Sequence, residues 1–158
     1  MKTTRREILD DVPESHPVSE THIQDARIER VSYSDSRRTR GLRALSEITG
    51  DSGEGVVNSL RDIAPDLADW IIDFSYGDVM ARPGLDRRTR QFATIAALTA
   101  LGNAQPQLKV HIAGALKVGC KPHEIVEVIL QMAVFAGFPA AINALNVARD
   151  EIAKWGHS

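Results

Sequence analysis

The run from Arg87 to Leu101, RRTRQFATIAALTAL, constrains this chain more than any other feature. As a helix it places Phe92, Ile95, Ala96, Leu98, Thr99 and Leu101 so that almost no polar side remains. Such a helix has to be covered by other helices or by another subunit. Its ends are marked in the sequence. Asp86 is a good N-cap, and Gly102 with Asn103 stops the helix. Ahead of it, "RPGL" fits a type II turn, with Pro83 presetting φ and Gly84 taking the positive φ. After it, Pro106 opens a second helix over residues 105–118. Leu108, Ile112, Ala115 and Leu116 share one face of that helix, and Gln107, His111, Gly114 and Val118 occupy the adjoining strip.

Two more helices follow. Gly119 stops the second helix and Pro122 opens a third, whose polar residues Glu124, Glu127 and Gln131 form a single stripe on an otherwise apolar surface. Gly137 ends it, and Pro139 opens a last helix over 140–155 with an apolar face of Ile142, Leu145, Ala148 and Ile152. Aromatic residues make up 5% of the chain, so aliphatic side chains supply the core, a balance that favours packed helices over a sheet. The expected fold class is all-α, with short loops making consecutive helices antiparallel neighbours. Two helices apolar nearly all round exceed what one small domain covers, and a homo-oligomer is the natural outlet.

The N-terminal third reads differently. Residues 1–35 mix both signs of charge with Pro13 and Pro17 and too few apolar side chains for a face, which suggests an arm, disordered alone or packed on a neighbouring subunit. A short helix follows, with Ser36 as N-cap, Leu42, Leu45 and Ile48 on one face and Gly50 as stop. Arg37, Arg38, Arg40 and Arg43 lack aromatic interleaving and have acidic neighbours, so a solvated face is the simpler reading than a nucleic-acid patch. "DSGEG" reads as a flexible turn. Beyond it Val56, Val57, Leu60 and Ile63 mark one helix closed by Pro65, and residues 66–80 mark another. The expected division is an arm with a short helix over 1–51 and a helical domain over 52–158.

Composition narrows the function. A formal net charge of −2 gives no global case for nucleic acid or an anionic membrane. No run approaches the roughly 20 apolar residues of a membrane span, and no apolar segment follows the early twin arginines, so a cytoplasmic location is the default expectation. The single cysteine, Cys120, excludes an internal disulfide and any dithiol or cysteine-pair metal site.

His111 is the leading chemical candidate, since imidazole gives and takes protons near neutral pH. Gly114 in its strip would leave open volume beside the ring. A core or interface histidine satisfied by a backbone carbonyl is the alternative. No second histidine or carboxylate stands one helical turn away, which argues against a metal. Arg82, Arg87, Arg88 and Arg90 surround the turn. Cations in a helix's first turn oppose the macrodipole unless an anion offsets them, either Asp78 or Asp86 or a ligand carboxylate held by a two-pronged guanidinium contact. Lys121 beside Cys120 could lower the thiol's pKa, but without a resolving cysteine or adjacent base an incidental thiol is the simpler reading.

Taken together, "YGDVMARPGLDRRTRQFATIAALTALG" and "LKVHIAGALKVGCKPHEIVEVILQMAVFAGFPAAINALNVARDEI" resemble the carboxymuconolactone decarboxylase family, most closely its γ-carboxymuconolactone decarboxylase branch. The match covers about residues 64–153 and includes the RPGLD-RTR turn, the histidine of L-x-x-H-x-x-x-A-L and the AGFPAA-x-N-A turn. The resemblance implies an all-helical subunit in a ring-like homo-oligomer, a trimer or hexamer, with sites near subunit contacts. It also implies a cofactor-independent decarboxylase of a carboxylated lactone. In that reading His111 is proton donor or electrophile, Gln107 contacts a carbonyl, and Arg82, Arg87 and above all Arg90 hold a carboxylate. No metal is expected. The dithiol alkylhydroperoxidases of this family carry C-x-x-C where this chain has Ala104 and Gln107, so a peroxidatic dithiol is absent. The decarboxylase branch commonly has glutamate at position 107.

Overall fold

The computed structural model describes residues 30–156, and Tyr33 onward forms one compact unit. Residues 1–29, most of the stretch expected as an arm, lie outside the described residues. The described part is all-helical. The α-helices are α1 (Arg37–Ile48), α2 (Asp51–Ser59), α3 (Pro65–Trp70), α4 (Arg87–Leu101), α5 (Gln105–Lys117), α6 (Pro122–Ala136) and α7 (Phe138–Trp155), with a π-helix (Ile71–Met80) between α3 and α4.

Two clusters of side chains hold the fold. The larger lies among α4 to α7, around Ile95, Leu108, Ile112, Leu116, Ile125 and Ile129. Here α4 packs on α5 and α6, and α7 packs on α5 and α6. The smaller cluster joins α1 to the π-helix through Ala44, Leu45, Ile48, Ala68, Ile72 and Tyr76. The helix of the expected arm, α1, is thus part of the helical body. Val118 packs against both clusters. Where α5 crosses the end of α1, a Cβ on Gly114 would stand 3.0 Å from the carbonyl oxygen of Ile48. Gly114 therefore admits the α1 backbone, and the open volume expected beside it is filled. Lys117 Nζ donates to the Ser46 carbonyl at 2.7 Å across the same crossing.

Local signals explain most boundaries. Ser36 caps α1 by accepting from the Thr39 N–H, and Asp86 caps α4 by accepting from the Thr89 N–H. Gly102 takes the left-handed conformation at φ 71 and ends α4. Three local expectations change. Gly84 is not among the positive-φ glycines, so the "RPGL" turn is not type II. The "DSGEG" segment is helical, because Gly50 at φ 56 reverses the chain and Asp51 and Glu54 then favour a helix N-terminus. The expected single helix over 66–80 widens at Ile71 into the π-helix.

That widening is held from the side. Of the α1 arginines read as a solvated face, Arg37, Arg38 and Arg40 meet acidic partners on α3 and the π-helix, while Arg43 pairs with Asp35. Arg37 pairs with Asp78 at 2.7 Å, Arg40 with Asp78 at 3.4 Å, and Arg38 with both Asp69 and Asp73. Close backbone approach is permitted by glycine: a Cβ on Gly41 would lie 2.1 Å from the Ile72 carbonyl oxygen.

The last two helices leave apolar surface uncovered. Val134, Phe135 and Phe138 are 79%, 75% and 75% exposed, and Leu130 and Ile142 are also exposed. No described helix is long and apolar enough to cross a membrane.

Candidate active site

A cavity of about 460 Å³ lies between the two clusters. Helix α1 contributes Leu45, α2 contributes Gly53, Val56 and Val57, and α4 contributes Thr94. The π-helix supplies Ile71, Phe74, Ser75, Tyr76, Val79 and Met80 as one wall, and α5 supplies Pro106, Gln107, Val110 and His111 as the other. A π-helix turns more slowly than an α-helix and so presents an unusual run of neighbouring side chains to one side; such segments recur at functional sites. Here it lends six residues to a single cavity.

The chemistry of the cavity is sparse. Its polar side chains are Ser75, Tyr76, Thr94, Gln107 and His111, and among the described residues no charged side chain lines it. Thr94 is committed to the Arg90 carbonyl at 2.9 Å, and the Tyr76 hydroxyl lies 3.5 Å from Thr49 Oγ1. Burial raises the Tyr76 phenol above its ordinary pKa of 10.0, keeping it neutral. Burial also lowers His111 below its ordinary 6.5, so the free ring is neutral at neutral pH.

The His111 ring is oriented from below. Its Nδ1 lies 3.1 Å from Oε1 of Gln91, a residue 0% exposed on the inner face of α4. That leaves Nε2 as the ring nitrogen available to the cavity. Gln91 carries a signal in the sequence: it falls with Ile95 and Thr99 at i, i+4 and i+8, on the buried stripe of an apolar helix. At the polar start of its helix a glutamine looks solvated in sequence, which masks that signal.

The expected site residues divide between two places. His111 and Gln107 share the cavity, one turn apart on α5. Arg82 and Arg87 line a second cavity of about 490 Å³, together with Tyr33, Asp35, Arg40, Arg43 and Asp86. Met80 is the residue common to both cavities. Arg87 is paired with Glu47, and Arg88 with Glu124 at 2.7 Å. The guanidinium of Arg82 has no partner among the described residues. Arg90 lines neither cavity; its Nη2 donates to the Arg82 carbonyl at 3.0 Å, and its Nε is buried without an acceptor among the described residues. The ionic partners are therefore Glu47 and Glu124 rather than Asp78 and Asp86.

Cys120 is buried, and burial, the largest influence on it, raises its thiol above the ordinary 9.0. That disfavours the thiolate. Among the described residues no group of three or more His, Cys, Asp or Glu side chains is placed to hold a metal ion.

Comparison with known proteins identifies the family. The sequence model of the carboxymuconolactone decarboxylase family matches residues 65–150, which run from α3 into α7 and include both Gln91 and His111. The 4-carboxymuconolactone decarboxylase of Acinetobacter baylyi is 33% identical over 117 residues, covering 73% of this chain and 87% of the relative. A nitrosuccinic acid decarboxylase of Metarhizium robertsii is 32% identical over 115 residues, covering 71% of this chain and 78% of the relative.

Proposed function

Since the chain belongs to the carboxymuconolactone decarboxylase family, we propose that it is a carboxy-lyase acting without a cofactor on a carboxylated lactone or a related activated acid. A carboxymuconolactone and nitrosuccinic acid share one chemical property. Each carries the departing carboxylate on a carbon whose charge, once carbon dioxide leaves, spreads into an electron acceptor, the lactone carbonyl or the nitro group. The substrate is its own electron sink.

The observation that carries this reading is the cavity itself: His111 and Gln107 set among apolar walls with no charged side chain among the described residues. A carboxylate brought into such a space loses its water without gaining a cation, and leaving as neutral carbon dioxide relieves that cost. The bond between the carboxyl carbon and the ring carbon breaks, and its electron pair moves through the ring double bond toward the lactone oxygen. The Gln107 amide N–H is the donor assigned to that oxygen. His111 Nε2 then delivers a proton to carbon. The free ring is neutral, so it takes up this proton as the anionic substrate enters, because the carboxylates offset the burial that lowers its pKa. Arg82, unpaired across Met80, is the cation assigned to the carboxylate that stays. Arg87 and Arg90, each already engaged, support that side of the site.

The exposed surface of Leu130, Val134, Phe135, Phe138 and Ile142 is assigned to contacts between copies in a trimer or hexamer. The direct test is carbon dioxide release from γ-carboxymuconolactone measured beside nitrosuccinate and other activated acids. Release from none of them overturns the proposal.

A further inference from the structure

We propose that Gln91 is a positioning residue that holds His111 in a single tautomer, with Nδ1 protonated and Nε2 alone exchanging the proton used in the cavity. As a statement about catalysis this rests on the role given to His111 above; as a statement about the ring it does not.

Oε1 of Gln91 lies 3.1 Å from Nδ1 of His111. An amide oxygen only accepts, so Nδ1 carries the hydrogen and the neutral ring has a bare Nε2. The same contact suits the other protonation state. In the imidazolium both nitrogens carry hydrogens, and Oε1 still accepts from Nδ1. An amide turned the other way would present N–H to N–H once the ring was charged. The orientation observed is thus the one in which Nε2 can gain and lose a proton with no partner moving.

A second observation points the same way. The Gln91 side chain is fully buried, and its Nε2 has no acceptor among the described residues. A buried donor left unsatisfied costs about 1–3 kcal/mol, which offsets what the bond to His111 contributes to stability. Native proteins keep few such groups, and each asks for a reason. Orientation of His111 supplies one.

The surroundings leave Gln91 as the group that decides. On the π-helix the titratable residue lining the cavity is Tyr76, held neutral by burial. The linings from α1, α2, α4 and α5 contain no Asp, Glu, Lys or Arg, and no charged group shifts the ring.

The test is long-range proton–nitrogen correlation of the histidine rings in nitrogen-15-labelled protein, with His111 assigned by the signal lost in His111→Asn. In the unsubstituted protein the neutral ring should show hydrogen on Nδ1 and a bare Nε2, and acid should add a proton at Nε2. Gln91→Met removes the acceptor, so the ring should change to the Nε2-protonated tautomer. The melting temperature should not fall, because an orphan donor has also gone. Gln91→Glu should keep the tautomer and raise the ring's pKa, a readout independent of whether the methionine variant folds. On any acid the enzyme decarboxylates, Gln91→Met should lower kcat by more than tenfold with KM kept. A neutral ring protonated at Nε2 in the unsubstituted protein, or a tautomer unchanged by Gln91→Met, overturns the inference. Absence of turnover with every acid would instead count against the catalytic reading and leave the spectra to decide the tautomer.

Discussion

Gln91 Oε1 and His111 Nδ1 lie 3.1 Å apart, joining two helices that the chain separates by a glycine stop and a short loop. The contact aims the ring at the cavity while hiding the residue that aims it. Consequences for activity and for stability follow separately from this arrangement.

His111→Asn keeps a side chain of similar length and removes the proton carrier. General acid–base groups contribute typically about 10²–10⁴-fold, so kcat for decarboxylation should fall by at least about a hundredfold. The melting temperature should stay close to that of the parent. A variant with full activity would remove His111 from the chemistry.

His111 also leaves a mark on stability. Its folded pKa is below the ordinary 6.5, so between the two values the unfolded chain binds more protons than the folded one. The stability contribution is complete above about pH 6.5 and is lost as pH falls toward the folded pKa; below that value this residue adds no further loss. Thermal melts between pH 7.5 and 5 should show a smaller acid decline in His111→Asn than in the parent chain.

Arg82 and Arg87 separate binding from structure. Arg82 has no side-chain partner among the described residues, so Arg82→Ala should raise KM about tenfold, equivalent to about 1.4 kcal/mol, with little change in melting temperature. Arg87 is engaged with Glu47, and Arg87→Ala should change KM less. Equal KM values for Arg82→Ala and the parent would place the carboxylate elsewhere.

Gly41→Ala tests the seat of the π-helix. The added Cβ would meet the Ile72 carbonyl oxygen at 2.1 Å, against backbone that cannot swing aside as a side chain can. Overpacking of this kind costs typically about 1–3 kcal/mol, which denaturant titration would register. The displaced wall should also weaken substrate binding.

Phe135→Asp places a charge in the exposed apolar patch of α6 and α7. Sedimentation should show the parent as an oligomer and the variant as a smaller species. Identical masses would free this surface from a role in assembly.

Much of the helical body was legible in the sequence because its signals are local. Asp86 and Ser36 cap the helices they were expected to cap, and the bounds of α4 follow from Asp86 and Gly102. What escaped depends on partners far along the chain. Arg38 looks solvated until Asp69 and Asp73 arrive from another helix, and Gly114 looks like a void until the Ile48 carbonyl enters it. The π-helix escaped because helical periodicity over 66–80 does not distinguish one extra residue per turn. The site was half legible: His111 and Gln107 lie on one helix, so spacing put them together. Gln91 needed the packing of α4 on α5, and the placement of Arg82 behind Met80 needed the π-helix.

Carbon dioxide release from γ-carboxymuconolactone, followed in parallel for the parent chain and His111→Asn, tests the central claim most directly. Release by the parent, lost in the variant while its fold and oligomer persist, is the expected result. Release that survives the substitution, or no release from this lactone, nitrosuccinate or any other activated acid tried, would contradict it.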